Sequence, residues 1–114
     1  MASTPRPDIE SLLRDLAGLG LDREDIAAAT GAAVEDERGW PSDTASLERV
    51  ADRLQQLHRL ASKLSDSLTP PGPAQWLRTP NRMLAWHVPL AVLRDGDYDR
   101  VLGVVDAYLH GAYL

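Results

Sequence analysis

No cysteine occurs among the 114 residues. That absence removes disulfides, thiolate nucleophiles and cysteine-ligated zinc together. A chain this small without a disulfide framework reads as intracellular rather than secreted. Long apolar runs are missing too: no segment approaches the ~20 apolar residues that span a bilayer, so no membrane association is expected. The opening Met1-Ala-Ser-Thr-Pro-Arg-Pro7 puts no apolar stretch behind its single arginine and is not expected to be a signal peptide. The cytoplasm is the expected location. Alternating β-branched or aromatic residues never extend over a strand's length, and aromatics make up only 5% of the chain.

Catalytic constellations are equally scarce. His58, His87 and His110 are scattered, and none has a partner at metal-ligand spacing. There is no glycine-rich phosphate loop; Gly96 and Gly103 stand alone and read as a helix stop and a packing contact. Asp95, Asp97 and Asp99 alternate around Gly96, but the twelve-residue calcium loop with its distal glutamate is missing, so helix capping explains them better. The chain is therefore expected to be a binding protein, not an enzyme, and to carry no cofactor or metal.

What is present is helical. A hydrophobic fraction of 44% and a charged fraction of 25% are those of an ordinary globular protein, and the expected fold class is all-α. Asp8 is placed to cap a first helix reaching Leu19, with Ile9, Leu12, Leu13, Leu16 and Leu19 on one face. Asp22 caps a second, with Glu24 and Asp25 in its first turn, Leu21 and Ile26 placed for a hydrophobic staple, and Gly31 at the stop. A short segment, Ala32 to Trp40, precedes Pro41. A long helix from about Asp43 to Leu68 carries Leu47, Val50, Ala51, Leu54, Leu57, Ala61, Leu64 and Leu68 in a nearly heptad stripe. Such a stripe suits either the spine of the protein or a homodimer contact. Thr69-Pro-Pro-Gly-Pro73 divides the chain into a helix-turn-helix-like region with its long central helix, residues 1–73, and a compact bundle of short helices, residues 74–114. In the bundle, Thr79-Pro80 is expected to open a helix through Trp86, Pro89 one through Arg94, and Asp97 a final apolar helix. Gly111 releases Ala112-Tyr113-Leu114, an apolar and aromatic end suited to a partner's cleft.

The formal net charge is −5, whereas nucleic-acid binders usually present a basic patch. Leu12 to Trp40 has the rhythm of a helix-turn-helix, whose third helix would enter the major groove. Here that helix offers Glu35, Asp36 and Glu37 against Arg38, which repels phosphates. DNA binding is therefore doubtful, and a helix-turn-helix regulator repressing its own operon is the alternative reading.

The run Trp76-Leu-Arg-Thr-Pro80-Asn81-Arg-Met-Leu84, followed by Pro89-Leu90-x-x-Leu93, Gly96, Val101 and the closing Gly111-Ala-Tyr-Leu114, resembles the toxin-binding domain of the MbcA/ParS/Xre antitoxins. The upstream layout, with Trp40 after the third helix, is similar to the helix-turn-helix of the same family. The resemblance implies an all-α and often dimeric antitoxin whose partner is a RES-domain toxin that destroys NAD⁺. It further implies that Gly111, Ala112, Tyr113 and Leu114 form an inhibitory tail in or beside the toxin's NAD⁺ cleft, presented by the helix from Asp97 to His110. Trp76, Pro80, Asn81, Leu84, Pro89 and Leu93 would then shape the docking domain, with Gly96 and Val101 in the same motif. The acidic Glu35-Asp-Glu-Arg38 departs from the basic or polar recognition helix of the family.

Overall fold

Ten residues suffice for α1, Ile9–Gly18, because Leu12 and Leu16 bury one of its faces. The chain reverses through Gly20, held at φ 91°, where an added Cβ would press on Pro71 and Ala74 at 3.4 Å. Asp22 then starts α2, Arg23–Thr30, with the reciprocal bonds of a capping box: the Asp25 amide donates to Asp22 Oδ1 at 3.0 Å, and the Asp22 amide donates to Asp25 Oδ2 at 2.9 Å. Leu21 and Ile26, on either side of the cap, are both buried, as a staple requires. Gly31 closes α2 in the left-handed region at φ 77°, its amide donating to the Ala27 carbonyl.

The computed structural model describes residues 9–31, 44–69 and 71–111. The expected third segment Ala32 to Trp40, with its acidic Glu35-Asp-Glu, lies outside the described residues, as do Ala112, Tyr113 and Leu114.

The 22-residue α3, Thr44–Ser65, is the element on which the others pack: α1, α2, α4, α5 and α6 all rest against it. Its buried stripe is Val50, Leu54, Leu57, Leu60, Ala61 and Leu64, wider by Leu60 than the heptad reading predicts. A helix contacted from several directions needs more than an a/d seam. Leu54, Leu57, Leu60, Ala61 and Leu64 are 0% exposed within the single chain. Over its described residues the stripe serves as the spine, buried by the other helices of the same chain.

Beyond Thr69 come α4, Gly72–Arg78, a 3-10 turn at Arg82–Leu84, α5, Pro89–Arg94, and α6, Tyr98–Leu109. One hydrophobic cluster spans both sides of that boundary, joining Leu16, Leu21 and Ile26 to Leu77, Leu84, Leu93, Val101 and Val105. Two local readings of the sequence are corrected. Thr79 does not cap a helix opened by Pro80; its hydroxyl donates back to the Gln75 carbonyl at 2.6 Å and closes α4, while Asn81 caps the 3-10 turn instead. Threonine can serve either end of a helix, and sequence alone does not choose. Asp97 does sit at the N-cap of α6, but its side chain makes no capping bond there.

A spine shared by every element predicts a large cost for thinning it. Leu57→Ala should lower unfolding free energy by about 2–5 kcal/mol, whereas Arg59→Ala, on the exposed face, should stay within about 0.5 kcal/mol. Urea denaturation of both variants checks this.

Candidate partner-binding surface

The capping box of α2 also receives a side chain from the far half of the chain. Arg78, in the last turn of α4, donates from Nε to Asp25 Oδ1 at 2.7 Å and from Nη2 to Asp25 Oδ2. The same Nη2 reaches the Gly20 carbonyl at 2.9 Å and lies 3.8 Å from Asp22 Oδ2. Asp25 is 6% exposed, the one buried charged residue among those described. Burial pushes its carboxyl pKa up, but the Arg78 hydrogen bonds, the Asp22 amide and the Arg78 charge outweigh this and hold the group below its ordinary value of 3.8. Bonding to Asp25 raises the Arg78 pKa in turn. This forked ion pair locks the α1–α2 turn onto α4. A half-buried Lys63–Asp106 pair at 3.0 Å joins α3 to α6, and a His58–Asp15 side-chain hydrogen bond at 3.1 Å joins α3 to α1.

On the outer side of α4, Trp76 packs on Tyr108 of α6 with ring centroids 5.8 Å apart and planes tilted by 49°. These two rings, with Leu68, Gln75, Pro80 and Asn81, line an open groove of about 310 Å³. Beyond the groove the chain folds into a tight knuckle organised by Asn81. The Asn81 carbonyl accepts from the Leu84 and Trp86 amides at 2.9 and 2.8 Å, and its own amide donates to the His87 carbonyl at 3.0 Å. Its side-chain oxygen accepts from the Met83 amide at 2.9 Å. The knuckle turns through Ala85 and Trp86, both left-handed at φ 54° and 66°. Met83 and Trp86, 45% and 67% exposed, are the large hydrophobic side chains that stand in solvent among the described residues.

The residues singled out in the sequence fall into two groups. Trp76, Pro80 and Asn81 meet at the groove. Leu84, Pro89, Leu93 and Val101 are buried in the core, where they can shape a surface but not touch a partner. Gly96 is a turn residue at φ 90°, and an added Cβ would meet the Arg53 guanidinium at 3.0 Å. Gly111 follows α6 at φ 72°; the remaining tail residues lie outside the described range. Met83, Trp86 and Tyr108 belong to the large side chains that crowd the last third of the sequence and favour a binding role, but they are absent from the sequence-derived contact set, as are Arg78 and Asp25. One signal for part of them was available: between Asp66 and Asp95 the sequence holds Arg78, Arg82 and Arg94 and no carboxylate.

Fold and surface together define a small helical protein whose exposed apolar side chains gather on the turn between α4 and α5. Residues 70–111 match the family of the antitoxin Xre/MbcA/ParS C-terminal toxin-binding domain. The chain is 37% identical over 99 residues to a probable mycobacterial cidal antitoxin of Mycobacterium tuberculosis, spanning 87% of this chain and 85% of that protein. It is 30% identical over 97 residues to the mycobacterial cidal antitoxin MbcA of Mycobacterium bovis, spanning 84% and 86%. Its fold matches a chain in the crystal structure of the Mycobacterium tuberculosis MbcT–MbcA toxin–antitoxin complex at a TM-score of 0.68 and 25% identity, covering 92% of this chain and 96% of that one. The chain belongs to the Xre/MbcA/ParS antitoxin family.

The ion pair has a pH signature. Because the folded pKa of Asp25 lies below 3.8, its stabilisation is complete above that value and is lost as pH falls through the lower folded one. Arg78→Met leaves a buried carboxylate unpaired. It should cost about 1–2 kcal/mol at pH 7, below the ~3–5 kcal/mol of a fully buried pair, because the Arg78 side chain is 40% exposed and screened by water. Chemical denaturation from pH 7 to 2.5 should show the variant's deficit shrinking at acid pH.

Proposed function

We propose that this chain is the antitoxin of a type II toxin–antitoxin pair, that its partner is a RES-domain toxin that degrades NAD⁺, and that it acts in the cytoplasm by occluding the toxin's cleft, with no catalysis of its own. Family membership is the observation that carries this reading: residues 70–111 match a domain described as toxin-binding. Physical features support it. The segment from Gly111 to Leu114 follows a helix whose Val101, Val104 and Val105 are buried and whose Asp106 is tied to Lys63. In this reading that helix is the ordered base of the inhibitory tail, and a base already ordered lowers the entropy lost on binding. A cleft that holds a dinucleotide must attract two phosphates, so a chain of net charge −5 is steered towards it. In this reading residues 1–73 form the scaffold half and 74–114 the docking half.

Co-expression with the product of the adjacent gene, the expected toxin, tests the tail. Removing Tyr113 and Leu114 should release toxicity and restore NAD⁺ loss in an NAD⁺-consumption assay while the truncated chain still folds. Undiminished protection by the truncated chain would sink the tail mechanism.

A further inference from the structure

The Met83–Trp86 knuckle combines three properties. Trp86 is 67% exposed, although burying its ring is among the most favourable steps open to a small protein. Its backbone sits at φ 66°, directly after Ala85 at φ 54°, a region that disfavours every L side chain and that glycine enters freely. The position is nonetheless fully organised, since Asn81 holds the amides of Met83, Leu84 and Trp86. Folding alone would favour a glycine at 86. A strained and exposed tryptophan on a rigid turn is a feature whose benefit lies outside the isolated chain.

We infer that the knuckle is the anchor with which this chain docks on its toxin, Trp86 and Met83 entering an apolar pocket on that protein whose rim carries carboxylates. The inference rests on the toxin-binding reading above. Three observations select this occupant. The knuckle lies inside the segment matched to a toxin-binding domain, and it holds the exposed large hydrophobic side chains of the described residues. Tryptophan in a rigid setting is the residue type that dominates protein–protein hot spots, because it buries a large area for the loss of few rotors. The charge around it is opposite to that of the chain as a whole: residues 67–94 contain no carboxylate, and Arg82 and His87 are exposed within the same turn. A basic rim fits an acidic one. Asn81 is then a positioning residue that aims both side chains. Docking through the knuckle is separate from blockage by the tail, and one chain can do both.

The test titrates the product of the adjacent gene, the expected RES-domain toxin, into the full-length chain by calorimetry, with melting temperature recorded for every variant. Trp86→Gly should weaken binding by about 30-fold or more, the level of an interface hot spot, while its melting temperature holds or rises because the left-handed strain is relieved. Trp86→Phe should recover most of the affinity, and Arg82→Glu should weaken it in a salt-sensitive manner. Failure of the wild-type chain to bind would remove the toxin-binding reading, and this inference with it. Wild-type binding with Trp86→Gly within about threefold would overturn the anchor alone. Loss of affinity accompanied by a fall of several degrees in melting temperature would also overturn it, since Trp86 would then serve the fold.

Discussion

Everything in this molecule is arranged around the burial of one helical stripe, Val50 to Leu64 on α3. A chain of 114 residues has material for a single modest core, and α3 supplies the surface that the five other helices among the described residues share. The short helices α4 and α5, of seven and six residues, are too short to be stable alone in water. They exist because Leu77, Leu90, Val92 and Leu93 are buried in the cluster that α3 organises. The part of the chain that matches a toxin-binding domain is thus held in shape by residues far outside it.

The Arg78–Asp25 pair adds direction to that nonspecific burial. Apolar contacts tolerate sliding, whereas a forked guanidinium on a buried carboxylate sets one register. The carboxylate is itself fixed by the capping box of α2, and the same guanidinium nitrogen takes the Gly20 carbonyl. A helix cap, a glycine turn and the end of α4 are therefore one polar unit. Its effect is to set α4, and with it the Trp76–Tyr108 groove and the knuckle beyond, at a fixed position on the scaffold. Preorganisation of that kind reduces the ordering cost of association.

Local signals made most of the helices legible. The Asp22 cap with Asp25 three residues on, the glycine at 31 and the proline at 89 each follow from backbone hydrogen-bonding needs that a few residues satisfy, and each element lies within a few residues of its expectation. Thr79 was ambiguous because its hydroxyl can bond forwards or backwards. Leu60 lies off the heptad template, which assumes contact on one side. The surface was less legible than the fold. Leu84, Leu93 and Val101 look in sequence like any apolar motif, and only three-dimensional packing shows that they are interior. Arg78 and Asp25 are separated by 53 positions, so no local rule pairs them. Trp86 in a left-handed conformation runs against propensity, and a reading built on propensity assigns it to a helix.

A shared spine and an ion pair joining α2 to α4 require α4 to α6 to open only when α1 to α3 open. Native-state hydrogen exchange under increasing denaturant measures this directly. Amides of α2, α3, α5 and α6 should converge on one opening free energy equal to that of global unfolding. Exchange of α5 and α6 at a much lower free energy, with α1 to α3 still protected, would contradict the single core.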